Sequence, residues 1–273
     1  TMRRDGGTAA GRVEGDRVVE MAWPDVGALL ASGPGWAEAA RSASGPEHDL
    51  SGVDLAPVVP FPGKVLCLGL NYANHIKEMG HELPEWPTIF AKFADTLTGP
   101  NDPLVVPRES GKMDWEVELA VVVGRAARRV SLDDAPAHIA GFTVLNDVSM
   151  RDWQWRTSQF LQGKMFEAST PVGPALVTPD EVDGAADLAL SCEVDGEVMQ
   201  EARTSDLLFG PAQCVSYLSS IVTLRPGDII STGTPGGVGA GRTPPVFLRP
   251  GQVMRTTVEG LGTLVNRCVA DEG

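Results

Sequence analysis

Asp114-Trp-Glu116-Val-Glu118-Leu-Ala-Val-Val-Val-Gly124 is the stretch on which the fold turns. It is rich in β-branched and other apolar residues, so it reads as a strand over residues 115–123. Alternate strand residues face opposite sides. Glu116 and Glu118 therefore share one side, about 6.5–7 Å apart along the backbone, while Val117, Leu119, Val121 and Val123 line the other, core-facing side. Two carboxylates held side by side repel, and apolar neighbours raise the cost of keeping both ionised. A divalent cation relieves that cost, and carboxylate oxygens suit Mg²⁺, Mn²⁺ or Ca²⁺. Asp147, where the β run Phe142-Thr-Val-Leu-Asn146 ends, offers a third acidic ligand. The same pair also fits the wet face of an ordinary half-exposed strand, and spacing alone leaves both readings open.

Outward from this strand, 31 glycines and 21 prolines punctuate the chain, and strand-like runs between them outnumber helical ones. Before it, Gly11-Arg-Val-Glu-Gly-Asp16-Arg-Val-Val-Glu20 predicts a hairpin around Gly15-Asp16. Helices are expected over residues 24–31 and 36–42. Ala56-Pro-Val-Val-Pro-Phe-Pro62 reads as an extended linker, because its prolines forbid helix and interior strand. This places a boundary between a small α/β region, residues 1–59, and a mostly β catalytic domain, residues 60–273. In that domain residues 64–69 and 140–147 read as strands, 71–79 as a short helix or ordered loop, and 149–162 as one helix. Asp195-Gly196 predicts a tight hairpin turn. Leu224-Arg-Pro-Gly-Asp228 and Leu248-Arg-Pro-Gly-Gln252 each predict a Pro-Gly turn opening a strand. The fold class is α+β, mostly β.

With 22 Lys or Arg against 36 Asp or Glu, the net charge is −14. That excludes nucleic acid or an anionic membrane as the main partner, but not a cationic pocket for a small acid. The apolar runs fall far short of the roughly 20 residues of a membrane span. Cys67, Cys192, Cys214 and Cys268 are dispersed in apolar runs with no C-x-x-C spacing, so they read as free buried thiols. The opening residues show no secretory pattern, and the expectation is a cytoplasmic protein.

Lysine is scarce. Lys64, Lys77, Lys92, Lys112 and Lys164 are all of it, and Lys164 lies in Gly163-Lys-Met-Phe166, where an ammonium needs an anionic partner. Arg151 and Gln154, three apart, share a face of the expected helix. Arg151 could clamp a substrate carboxylate, and Gln154 and Lys164 could hold an enolate oxygen. A solvated arginine and a salt-bridged lysine fit the same spacing. His75 and Glu78 would meet on one helical turn, where the carboxylate could raise the basicity of the imidazole and the dyad could activate water. A surface histidine near a glutamate is the plainer alternative, and it is the reading for His48 and His138; His81 is read as loop. Gly233-Thr-Pro-Gly-Gly-Val-Gly-Ala-Gly241 lacks the ending of a phosphate-binding P-loop. It reads as a loop whose amides, with the Thr234 hydroxyl, approach a small anion.

Five stretches, in this order, resemble the fumarylacetoacetate hydrolase superfamily: residues 60–75, 114–124, 141–154, 163–174 and 227–237. The resemblance, which covers roughly residues 60–270, points to its acylpyruvase and 2-hydroxyhepta-2,4-diene-1,7-dioate isomerase-like branch. It implies a β-sandwich or roll behind a small N-terminal region, and a homodimer. It implies a divalent metal, Mg²⁺, Mn²⁺ or Ca²⁺, on Glu116, Glu118 and Asp147, and a water-activating dyad at His75 and Glu78. It also implies catalytic roles for Lys164 and Gln154, and substrate contacts at Arg151, Thr234 and Tyr72. The expected activity is hydrolysis of a C–C bond in an acylpyruvate-type β-diketo acid of aromatic-compound catabolism. The alternatives are oxaloacetate decarboxylation, isomerisation of an unsaturated 2-oxo or 2-hydroxy dicarboxylic acid, or non-catalytic binding of a metal or 2-oxo acid.

Overall fold

The computed structural model describes residues 1–78 and 82–273, the side chains of His75, Lys77 and Glu78 excepted. Two sheets packed face to face carry the molecule. The first has seven strands in the order Thr88–Lys92, Val65–Gly69, Ile229–Ser231, Val117–Val123, Ile139–Asn146, Thr170–Val177, Leu97–Thr98. The second has five, in the order Glu197–Arg203, Ala189–Val194, Val253–Val258, Gly262–Ala270, Leu104–Val106. Val117, Leu119, Val121 and Val123 meet Leu190, Cys192, Met254 and Leu264 of the second sheet in one core. This is the mostly β sandwich expected.

The glutamate strand is covered on both faces, which corrects the expectation of a single core-facing side. Ala120 and Val122, on the side of Glu118, pack with Val26, Leu30, Val58 and Val59 from the N-terminal region. That region contributes the hairpin Gly11–Glu14 with Arg17–Glu20 and the helices Val26–Ala31 and Trp36–Ser42. The first helix starts where Asp25 accepts the Ala28 N–H at 2.7 Å, an N-cap one residue past Pro24. In the linker, Val58 and Val59 are buried and plug the space beneath the central strand.

Residues 149–162 form no single helix. A short strand, Ser149–Met150, leads into the helix Arg151–Gln154, and a second helix, Leu161–Lys164, follows after a loop. In that loop the Thr157 hydroxyl accepts the Gln159 N–H, a local bond that competes with the helix. The chain then doubles back so closely that a Cβ on Gly163 would lie 2.6 Å from the Met150 carbonyl. One continuous helix would carry Lys164 about 20 Å along the axis from Arg151. The break returns it to the same spot.

Elsewhere local chemistry and structure agree. Asp195 and Gly196 take φ of 53° and 83°, the left-handed pair a tight hairpin turn requires. Gly227 and Gly251, at φ of 85° and 96°, open Ile229–Ser231 and Val253–Val258. Of the expected short helix or loop at 71–79, the described part contains a helix at Ala73–Glu78, and residue 79 lies outside the described residues. Among the described residues no helix is long and apolar enough to cross a membrane.

Candidate active site

Glu116, Glu118 and Asp147 converge at one end of two adjacent central strands of the first sheet, each offering a carboxylate oxygen within 4.8 Å of the others. Their exposures are 7%, 1% and 0%, so the half-exposed-strand reading fails. The backbone explains the convergence. Asn146 accepts the Glu116 N–H at 2.9 Å, and the Glu116 carbonyl accepts the Asp147 N–H at 2.9 Å. The end of Ile139–Asn146 is thereby pinned to the start of Val117–Val123.

Three cations answer these acids. Lys164 Nζ donates to Glu116 Oε2 at 2.6 Å and to Asp147 Oδ2 at 2.7 Å. Lys92 Nζ donates to the other Asp147 oxygen at 2.6 Å. Arg151 Nη1 reaches Glu116 Oε1 at 2.6 Å and Gln154 Oε1 at 2.9 Å. Burial alone would push the Asp147 carboxyl up, but the ammoniums of Lys164 and Lys92 overcome it and hold the group at about 2. Burial would likewise lower Lys164, and the carboxylates of Asp147 and Glu116 instead drive it upward, so it stays charged.

Glu118 is the exception. Its Oε2 accepts from the Ser231 hydroxyl and from the Gly233 N–H, both neutral donors. Burial first, then the charges of Asp147 and Glu116, push its carboxyl well above the usual range. A buried set of hard oxygens, one of them without a cation of its own among the described residues, fits a divalent ion of the Mg²⁺, Mn²⁺ or Ca²⁺ kind. Because Glu118 binds its proton tightly and must shed it to act as a ligand, metal affinity is expected to rise with pH. Titrating Mn²⁺ into weakly buffered protein should release protons, fewer as the starting pH is raised. Proton-neutral binding would show that Glu118 is no ligand.

Lys164 and Arg151 bond Glu116 directly, and Gln154 reaches it through Arg151. Arg151 is buried and held on three sides, its Nε donating to Asp114 at 2.8 Å. Among the described residues its Nη2 has no partner. A buried guanidinium nitrogen with nothing to donate to is a ready contact for a substrate carboxylate. The Tyr72 hydroxyl, on a ring 1% exposed, is similarly without a partner among the described residues. Burial first, then Glu118 and Asp206, raise its pKa, so it is a donor. Thr234 follows Gly233 directly, beside a cavity of about 720 Å³ lined in part by Asn74, Pro235, Gly236 and Arg242. His75 and Glu78 both belong to the helix Ala73–Glu78, but their side chains, like His81, lie outside the described residues.

Four positioning residues escaped the sequence reading. Asp114, fully buried, accepts from Arg151 and from the N–H groups of Trp115, Gly239 and Ala240, which ties the glycine-rich loop to the guanidinium. Lys92 sits in Ile89-Phe-Ala-Lys92-Phe, and the apolar-context argument applied to Lys164 would have found it. Gln200 joins the glutamate strand to Thr234. Asn71 donates to the carbonyls of Phe209 and Thr232 and accepts the Phe209 N–H, which anchors the root of the helix carrying His75. No local pattern marks the last two.

Residues 64–269 match the family model described as the C-terminal domain of fumarylacetoacetate hydrolase. The chain belongs to the fumarylacetoacetate hydrolase family. It is an enzyme of that family, and its central carboxylates are suited to the divalent metals such enzymes use. Oxaloacetate tautomerase FAHD2A, mitochondrial, from Bos taurus is 48% identical over 217 residues, 79% of this chain and 69% of that protein. The crystal structure of 5-carboxymethyl-2-hydroxymuconate delta-isomerase from Mycobacterium smegmatis covers 96% of this chain and 94% of its own, at 34% identity and a TM-score of 0.80. Fumarylpyruvate hydrolase from Pseudomonas aeruginosa, in complex with Mn²⁺ and pyruvate, covers 76% of this chain and 90% of its own, at 35% identity and a TM-score of 0.69.

Proposed function

We propose that this enzyme interconverts the enol and keto forms of a short 2-oxo dicarboxylic acid of the oxaloacetate class. The observation that carries the reading is the Lys164 ammonium, 2.6–2.7 Å from Glu116 and Asp147, beside a guanidinium nitrogen that has no partner among the described residues. That set recognises a carboxylate and holds an enolate, and the likeness to an oxaloacetate tautomerase supports this outcome over fragmentation.

Glu116, Glu118 and Asp147 would hold a divalent ion, Mg²⁺ or Mn²⁺ first, which when bound supplies a Lewis acid for the carboxylate and 2-oxo oxygens. Arg151 Nη2 takes the substrate carboxylate. Lys164 donates to the 2-oxo oxygen as negative charge gathers there. Loss of a C3 proton from the keto form, or of the hydroxyl proton from the enol, gives one common enolate. Return of the proton at the other atom completes the isomerisation, and we assign that transfer to His75 and Glu78. Gln154 holds Arg151 through its Oε1, and Tyr72 and Thr234 supply neutral donors.

Acylpyruvate hydrolysis is the second reading, favoured by the placing of His75 and Glu78 on one helix and by the likeness to fumarylpyruvate hydrolase. It adds attack of activated water on the distal carbonyl. The Mn²⁺-loaded protein, given enol-oxaloacetate, oxaloacetate, acetylpyruvate and fumarylpyruvate with products scored by mass spectrometry, separates the two. Accelerated loss of the enol absorbance with no fragment supports tautomerisation. Pyruvate and a second acid from the diketo substrates would replace it with hydrolysis, and bicarbonate from oxaloacetate with decarboxylation.

Arg151→Lys is expected to raise KM for oxaloacetate about 10- to 100-fold with a smaller change in kcat, because a point charge cannot serve Asp114, Glu116 and a substrate carboxylate at once. An unchanged KM would remove Arg151 from substrate binding. The homodimer, the boundary near residue 60 and a cytoplasmic location also stand as proposals. Four free, buried cysteines support a reducing compartment. Light scattering, limited proteolysis and cell fractionation test them in turn.

A further inference from the structure

Gln200 lies on Glu197–Arg203 of the second sheet and is 1% exposed. Its Oε1 accepts the Val117 N–H at 2.9 Å. Its Nε2 donates to the Pro235 carbonyl at 2.9 Å and to Thr234 Oγ1 at 2.8 Å. A backbone N–H can only donate and a carbonyl can only accept, so these two partners fix which end of the amide is oxygen.

The consequence falls on Thr234. Its hydroxyl has one proton and two lone pairs, and the Gln200 N–H already occupies a lone pair. The proton is thus turned away from Gln200, and among the described residues no acceptor takes it. The neighbouring Gly233 N–H donates to Glu118 at 2.7 Å, which sets this hydroxyl one residue from the carboxylate centre.

We propose that Gln200 is a positioning residue that fixes Thr234 as a hydrogen-bond donor, so that the site selects an anionic oxygen of a 2-oxo acid at that point. The proposal rests on the reading of Thr234 as a substrate contact. A donor oriented in advance needs no reorganisation as the oxygen gains charge. A substrate group with only N–H to offer in place of the oxyanion gains less there, because the Thr234 proton finds no acceptor on it and one lone pair alone is left to receive it.

The test compares Thr234→Val, Gln200→Glu, Gln200→Met and the double variant Gln200→Glu/Thr234→Val in the Mn²⁺-loaded protein. Pyruvate affinity is read by calorimetry, KM and kcat with oxaloacetate, and Mn²⁺ affinity reports on the integrity of the site. A carboxylate at position 200 keeps the Val117 bond, loses the donation to Pro235 as Gln200→Met also does, and can only accept from Thr234, which reverses the hydroxyl. Thr234→Val and Gln200→Glu are each expected to weaken pyruvate about tenfold or more, with Mn²⁺ affinity unchanged. Gln200→Met should weaken it less, and the double variant no more than the worse single. Where Gln200→Glu does not fold, Gln200→Met and its double with Thr234→Val carry the same comparison. Unchanged pyruvate affinity in Thr234→Val would remove Thr234 from the substrate, and the underlying reading with it. A loss in Thr234→Val alone, or fully additive losses in the double, would overturn the role of Gln200 and leave that of Thr234 standing.

Discussion

Lys164→Met is expected to lower turnover of the metal-loaded enzyme by about 10²–10³-fold, while pyruvate affinity falls far less. The ammonium lies fully buried against Glu116 and Asp147, in a position to meet charge that exists only once the enolate forms. Removing it has a second effect, on stability. Two buried carboxylates lose a shared counter-charge, a change that costs about 3–5 kcal/mol when one partner of a buried pair is deleted. A divalent ion on the same oxygens restores that neutralisation. The variant should therefore melt well below the wild type in EDTA and regain most of the difference with Mn²⁺. Stopped-flow decay of the enol form and paired thermal melts read both effects. An unchanged kcat would take Lys164 out of the chemistry, and equal melting losses with and without Mn²⁺ would show that ion and ammonium do not share these carboxylates.

What the sequence disclosed of this site follows from the range over which its signals act. Glu116 and Glu118 were legible because a strand's period of two is a local property. The hairpin at Asp195-Gly196 was legible because the turn needs positive φ there. The covering of both faces of the central strand had a trace too: Val121-Val-Val123 is a continuous apolar run, the mark of a strand buried on each side. It went unread because the glutamates suggested a wet face. The contacts that complete the site carry no such trace. Lys92 meets Asp147 across 55 positions, Asp114 meets Arg151 across 37, and Gln200 meets Val117 across 83. Only folding brings them together. The broken helix at residues 149–162 was misread for a related reason. Propensity favours its continuation, and the burial of Lys164 against two carboxylates, a tertiary gain, overrides it.

The three carboxylates also differ in what they do for the fold, and this separates two substitutions that would otherwise look alike. A core of this size suggests that ligand removal spares folding, and for Asp147 the structure reverses that expectation. Each of its oxygens accepts from a buried ammonium, and in Asp147→Ala Lys92 would keep only the Val148 carbonyl at 3.3 Å. A loss of about 3–5 kcal/mol is expected, roughly a 10 °C drop in melting temperature. The sign of its pH dependence follows from the carboxyl being held at about 2, below its usual 3.8. The contribution is complete above the unfolded value and disappears as pH falls through about 2, so the variant and the wild type should converge in strong acid. Glu118→Gln is the opposite case. The amide oxygen can still accept from Ser231 and Gly233, and the substitution removes a carboxyl that burial and two like charges already disfavour as an anion. Melting in EDTA should stay level or rise, while Mn²⁺ affinity falls by more than about 100-fold. Calorimetric Mn²⁺ titration beside thermal melts of both variants makes the comparison. If Glu118→Gln melts as low as Asp147→Ala, the carboxylates share one structural role and Glu118 is not held apart for the ion. If it keeps wild-type Mn²⁺ affinity, the ion sits elsewhere.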